Sequence, residues 1–423
     1  MFLTGLTHRD RLFEVSRRWL LDKLHPEDGR FLTQVFLFED LISAPTARRF
    51  ASDIQGGVWP GPHRHRHLLS KDAVREAIMD ACRGPSEREA ALFDQFRRHP
   101  EEFFPRTPVD LVLTTRADGQ LLGMSRLKRI RRVADKVSRR VADLLAGEIR
   151  AEARALARNR AEMAGMTLEA LVSPRDVMDA EFGTAERLVA QSFKEGSVEL
   201  EAAGLRVDDV IGAKYIGNPE ELERVEAAIR AHPAATVFQR EVHQGLYNDV
   251  NLLVDLELPP VGEIINRVRQ RDWSDAAQRG LDRGTLDTEF ARYVESGART
   301  IRTEVILTTF TDLVESEFGR SMHEQRILTQ RFTASYSGRI AQNASYIIEY
   351  LLNVAISPTV EVKSIPVKMW GRYLPDTLSV AISRLFTDAP VERLFDTFSA
   401  PPATGNEVPS SDSPSRLDPA ATR

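Results

Sequence analysis

Apolar positions recur along this chain with two different periods. At the N-terminal end the period is helical. In "RDRLFEVSRRWLLDKL", Leu12, Phe13, Trp19 and Leu20 fall at helical spacing. "SKDAVREAIMDAC" opens with Ser70 placed as an N-cap. The pattern changes in "PVDLVLTTRADGQ", where Val109 to Thr115 reads as a strand and Ala117-Asp118-Gly119 as a turn. A long Ala/Arg/Glu helical stretch then runs to about Gly165, with more helix after it, broken at Pro174 and Gly196. Val207 to Ile216, "VDDVIGAKYI", is a second strand candidate. Three agreeing signals start the next helix: Asn218 as N-cap, Pro219 at the first helical position and Glu221 three residues after the cap. Leu222, Val225, Ala228 and Ile229 form its buried stripe. "ATVFQREV" and "NDVNLLVDLEL" read as two strands joined around Gly245. Pro259 to Thr300 carries two short helical patterns. "TIRTEVILTTF" is a further strand, "TDLVESEFGRSMHEQRILTQRF" a helix, and "GRIAQNASYIIEYLLNVAI" a strongly apolar helix.

Strands interspersed with helices, and with one hairpin-like step, predict an α+β fold with one mixed sheet covered by helices. The expected divisions are a helical N-terminal region over 1–104, the strand-bearing domain with helical insertions over 105–330, a helical C-terminal extension over 331–398, and a Pro/Ser/Ala/Asp-rich disordered tail over 399–423.

The length of 423 residues suits roughly two to three units of about 100–200 residues each. A hydrophobic share of 42% is ordinary for a chain with a sizeable core. The single cysteine, Cys82, excludes an intrachain disulfide and fits a reducing cytoplasm. The first residues lack the apolar core of a signal peptide, and no apolar run approaches the ~18–20 residues of a membrane helix. The expectation is a cytoplasmic protein that does not use a membrane. The net charge of -5 hides one basic stripe, Ser125 to Arg140. That stripe is either a solvated helix face or a site for a phosphate-bearing ligand. In "WPGPHRHRHLL", His63, His65 and His67 alternate, but the run has no Cys, Asp or Glu and includes Arg64 and Arg66, which would repel a cation. It reads as a surface loop or an edge strand rather than a metal clamp.

The candidate chemistry lies on the strands. Asp209 stands at a strand start. Glu304 shares a strand face with Arg302, Ile306 and Thr308, while Ile301, Val305 and Leu307 face the other way. A carboxylate among apolar strand residues is costly to bury without an arginine, a lysine or a metal beside it. Two carboxylates on neighbouring strands can share Mg²⁺, the basic stripe can hold phosphates, and Tyr247 can stack on a base. These are the parts of a phosphoryl- or nucleotidyl-transfer site. The plainer alternatives are a solvated turn for Asp208 and Asp209, a structural ion pair for Glu304 and a core position for Tyr247.

Taken in order, these pieces resemble a family. The stretch from Pro108 to Phe318 is similar to the synthetase domain of RelA/SpoT-type (p)ppGpp synthetases. Arg126, Lys128 and Lys136 match that family's Arg-x-Lys loop and the Lys eight residues on. "DVIGAK" matches its "D-I-A-G-I-R" strand, with Asp209, Gly212 and Lys214 in register. "LYNDVN" matches its "G-Y-x-S-x-H" hairpin strand through Tyr247. "EVILTT" matches its "E-V-Q-L-R-T" strand through Glu304 and Val305. The resemblance implies a nucleotidyltransferase-like fold and Mg²⁺-dependent transfer of pyrophosphate from ATP to a guanine nucleotide or, as in toxin-type relatives, to the end of a tRNA. It implies Mg²⁺ on Asp209 and Glu304, phosphates on Arg126, Lys128, Lys136 and Lys214, and guanine on Tyr247, with Asn251 on the same hairpin strand. The family's hairpin Ser and His are here Asp249 and Asn251, and the Gln and Arg after its Glu are Ile306 and Thr308. Those departures leave a second expectation, a degenerate nucleotide sensor or interaction module on the same fold.

Overall fold

A computed structural model describes residues 2–104, 107–196, 201–245, 248–269, 271–319, 322, 338–374 and 376–386. Nine strands are β1 (Phe2–Leu3), β2 (His63–Ser70), β3 (Pro108–Arg116), β4 (Leu121–Leu127), β5 (Arg206–Val207), β6 (Ile211–Ile216), β7 (Ala235–His243), β8 (Asp249–Glu257) and β9 (Thr300–Thr308) among the described residues. The helices used below are α1 (Arg9–Leu20), α2 (Asp28–Val58), α3 (Lys71–Ala81), α4 (Glu87–Arg98), α5 (Ile130–Ala164), α6 (Leu168–Val172), α7 (Arg175–Glu195), α8 (Pro219–Ala231), α9 (Val261–Val268), α10 (Ser274–Gln278), α11 (Leu286–Ser296), α12 (Phe310–Phe318) and α13 (Arg339–Ile356). None of the described helices is long and apolar enough to cross a membrane.

Seven strands form one mixed sheet in the order β2-β3-β4-β6-β9-β8-β7. The central pair β6–β9 is parallel and the other pairs are antiparallel. β1 and β5 pair in parallel as a separate two-stranded ribbon. The fold is therefore α+β with a mixed sheet.

One face of the sheet is closed. Alternation puts Ile211, Tyr215, Ile301, Val305, Leu307, Leu252, Val254 and Leu256 on it, all buried. α2 and α8 lie against these strands, and α1, α5 and α13 extend the same core. α8 starts as the sequence predicts: Asn218 Oδ1 accepts from the Glu221 N–H at 2.9 Å, and the Glu221 carboxylate accepts from the Asn218 N–H at 2.9 Å. Among the described residues, the other face is covered at one corner. There Leu68, Leu113, Met124 and Ile216 pack under α3, α4 and α12 with Phe93, Phe96, Phe103 and Phe318.

Several elements differ from the sequence reading. Residues 1–104 are not purely helical, because β2 from that region is an edge strand of the main sheet. The histidine run is thus an edge strand; His63 bonds the Trp59 carbonyl at 2.8 Å, and His67 bonds Asp110 at 2.7 Å. β4 was not visible as a strand: Leu121 to Met124 is buried on both faces and shows no alternation. Gly123 within it has a packing reason, since a Cβ there would meet the Lys214 carbonyl oxygen at 2.7 Å. Three helices, not two, lie between 259 and 300. α13, expected in an extension, packs against α5 and α2 in the main core. The helix predicted from Thr311 onward ends at Phe318, where Gly319 is extended; residues 320, 321 and 323–337, those after 386 and the tail over 399–423 lie outside the described residues.

Candidate functional site

The uncovered part of the second face carries the charged residues. Register explains why they meet. Arg126 on β4 is level with Gly212 on β6, and Gly212 is level with Glu304 on β9. Arg126 reaches across β6 and donates from Nη2 to Glu304 Oε2 at 2.8 Å. Gly212 makes room for this crossing: a Cβ at that position would stand 3.0 Å from Arg126 Nε. From the other side, Asn251 Nδ2 on β8 donates to Glu304 Oε1 at 3.0 Å. Glu304 is thus held by a guanidinium and an amide at once.

Asp209 sits in the short link between β5 and β6. The Lys128 N–H donates to the Val210 carbonyl at 2.8 Å, which ties the end of β4 to that link. Asp209 Oδ2 accepts from Lys128 Nζ and, at 2.6 Å, from Lys136 Nζ on the second turn of α5. Burial alone would raise the Asp209 pKa, but the two ammonium groups outweigh it and hold the carboxyl well below the usual carboxylate range. Lys128 goes the other way. Burial, with Arg126 beside it, lowers its amine to about 8 despite the Asp209 charge. The other carboxylate oxygen, Asp209 Oδ1, is buried and has no hydrogen-bond partner among the described residues.

Asp209 and Glu304 line one cleft of about 220 Å³, together with Lys136, Arg140, Asn251 and Glu241. Next to it, on the far side of Arg126, is a larger pocket of about 450 Å³ lined by Lys128, Arg129, Lys214 and Ile306 among others. Lys214 is level with Ile306 and Met124 in the sheet, and burial lowers its amine pKa. The structure therefore brings Arg126, Lys128, Lys136, Lys214, Asp209, Asn251 and Glu304 to one sheet face. Tyr247 lies outside the described residues.

Asp208 belongs to a different cluster. It accepts from Thr4 Oγ1 and from Arg206 Nε, each at 2.8 Å, and from Arg302 at 3.3 Å. Arg302 in turn holds Asp255 with two bonds of 2.7 and 2.8 Å and lies 3.9 Å over the Phe238 ring. Asp208 thus fastens the N-terminal segment to β9, and it lines the cleft beside Asp209.

No group of three or more His, Cys, Asp or Glu is placed to hold a metal among the described residues. Mg²⁺ commonly takes one or two protein carboxylates and completes its shell with water and phosphate. Two carboxylates on one cleft, one with an orphaned oxygen, fit that donor set. Sequence reasoning missed Glu317 and Lys71, which pair at 2.7 Å beside Lys214. The available signal was a carboxylate in the apolar stripe of α12, next to Leu313, Val314 and Phe318.

No family model, no curated protein and no solved structure matches the chain.

Proposed function

We propose that the open sheet face binds a Mg²⁺–nucleotide and that the chain transfers pyrophosphate from ATP to a hydroxyl of a guanine nucleotide, on a nucleotidyltransferase-like fold. One observation carries the reading. Arg126, Lys128 and Lys136, Asp209, Asn251 and Glu304 come from four separate stretches of chain and are joined by side-chain bonds at one sheet face, at positions the RelA/SpoT resemblance singles out, with Asn251 standing where that family has a histidine.

Asp209 and Glu304 would hold the metal, which neutralises phosphate charge when bound. The chain's own residues then have defined work. In the state described, Lys128 and Lys136 hold Asp209, and Arg126 holds Glu304. A polyphosphate with its cation matches both sets: the ammonium and guanidinium groups would hold its oxygens, and Asp209 and Glu304 would hold the cation. The exchange leaves the cleft neutralised without either charge set losing a partner. Glu304 Oε1, oriented by Asn251, is placed to accept the proton of an acceptor hydroxyl.

The test is incubation with labelled ATP, Mg²⁺ and GDP, GTP or tRNA. Label should move to one acceptor, stop on chelation, and stop in Glu304→Gln. Transfer that persists in Glu304→Gln would overturn the role given to that residue. A second reading, nucleotide binding without transfer, is favoured by one feature: Ile306 and Thr308 follow Glu304 where the resemblance expects polar and cationic groups. Calorimetric binding of ATP with no label transfer to any acceptor would select it.

A further inference from the structure

The pocket beside the cleft contains a group, Lys214, to which the resemblance gives a phosphate contact and nothing more. Lys214 lines this space of about 450 Å³, and among the described residues its amine has no hydrogen bond or ion pair. The wall around it is apolar: Val109, Leu111, Met124 and Ile306. Farther out stand Arg126, Lys128, Arg129, Arg131 and Arg132. The acids on the same wall are already engaged. Glu317 is held by Lys71 at 2.7 Å, Asp110 by His67 at 2.7 Å, and Asp135 by Arg139 at 2.8 Å and by Arg132 at 2.5 Å. The 35-residue helix α5 begins here, with no side-chain cap and no acidic residue in its first turn. Its N–H groups add positive potential to the same end of the pocket.

We propose that this pocket takes a small phosphate-bearing aldehyde and that Lys214 Nζ bonds its carbonyl carbon. The chemistry needs no metal and no ATP. The amine lone pair attacks the carbonyl carbon, the resulting carbinolamine loses water, and an imine joins Nζ to the ligand. Nothing is oxidised or reduced. The phosphate is held by the arginines and the start of α5, and the ring or carbon chain lies on the apolar wall.

The surroundings favour the neutral, nucleophilic amine. Burial lowers the Lys214 pKa, and Arg126 from β4 and Lys71 from α3 push the same way; Glu317 from α12 and Asp249 from β8 oppose them. Lys23, Lys194 and Lys363 are exposed and serve as internal controls.

The probe is pyridoxal 5′-phosphate, used below one equivalent in Mg²⁺-free buffer at neutral pH, trapped with borohydride and mapped by peptide mass spectrometry. Lys214 should carry the adduct at least about tenfold ahead of Lys23, Lys194 and Lys363. Pyridoxal without its phosphate should react at least about tenfold more slowly, and inorganic phosphate should compete. Lys214→Met should lose the adduct while keeping its melting temperature. The mapping on unmodified protein stands if that variant does not fold. Labelling is read without ATP or Mg²⁺, which keeps this outcome separate from any failure of the transferase reading. Adducts spread over the exposed lysines, or confined to Lys128 and Lys136, would overturn the proposal, as would equal labelling by unphosphorylated pyridoxal.

Discussion

At the β2–β3–β4 corner of the second sheet face, Leu113, Met124 and Ile216 meet four phenylalanines from α4, its following turn and α12. Two residues further along β4 and β6, the same face carries Arg126 and Lys214, and then Glu304 one strand over. The strands do not change, nor does the alternation. What changes is the cover. The corner is roofed by α3, α4 and α12, so apolar side chains stabilise it by leaving water. Among the described residues the remainder has no such roof, and its charges other than Lys214 meet another charge or an amide, Arg126 and Asn251 at Glu304 and Lys128 and Lys136 at Asp209. One half of the face stores stability and the other half stores exchangeable partners.

The largest effect that would break this contrast is in the corner. Phe318→Ala should cost about 3–5 kcal/mol and lower the urea midpoint, because the ring packs edge-on against Phe93 and Phe96 and lies near Phe103. Any loss of function should then track only the unfolded fraction. In the charged half, Asp209→Ala should cost about 2–4 kcal/mol, since Lys128 and Lys136 would be left facing each other. Adding Lys128→Met should recover part of that loss in a denaturation series. Glu304→Gln is the opposite case. Its midpoint should shift by no more than about 1 kcal/mol, while transfer falls by about a hundredfold or more.

The acids on the two sides also titrate in opposite senses. Glu39 on α2 is fully buried on the closed side, where desolvation raises its pKa to about 7 against hydrogen bonds from Thr7, His8 and Tyr293. Its unfolded form ionises first as pH rises, so stability is full below about 4.5 and declines as pH rises through about 7. Asp40 beside it, raised to about 7, adds to the same decline. Asp209 has a lowered pKa, so its contribution is present above its ordinary value of 3.8 and is lost as pH falls below that. Glu39→Gln should flatten the alkaline side of a stability–pH curve, and Asp209→Asn the acid side, each measured by chemical denaturation. The smallest effect expected is that of Gly212→Ala. It should displace the Arg126 guanidinium from Glu304 and weaken nucleotide binding several-fold, with a stability change of about 1 kcal/mol or less.

What was legible in the sequence was what depends on near neighbours. The cap at Asn218 and Glu221 closes within three residues, so its letters suffice. β9 was readable because Ile301, Val305 and Leu307 alternate with half-exposed residues. β4 was not, because its two faces are both covered at Leu121 to Met124, and its basic end runs straight into the charges of α5. Asp209 and Glu304 could be picked out as carboxylates in apolar company. Their partners could not, because the Arg126–Glu304 bond depends on strand order and on the absence of a side chain at Gly212. The roof over the corner was hidden for the same reason: it joins Phe93 to Phe318 across most of the chain.

The parallel contact of β6 with β9 sets an order of events. A hairpin can close as soon as its second strand exists, but β6 must wait for everything up to Thr308 before it has its neighbour on that side. The N-terminal segment waits as well, since the Thr4 carbonyl accepts from the Arg302 N–H at 2.9 Å. Most contacts that shape the cleft join distant parts of the chain, which is the kind of topology that folds slowly. On a ribosome, Lys128 and Lys136 emerge before their partner Asp209, and Arg126 waits longer still for Glu304. A chain halted before β9 would therefore be not a weaker version of this protein but a different object, with Arg126 unmatched and one wall of the cleft missing, open to chaperones and proteases.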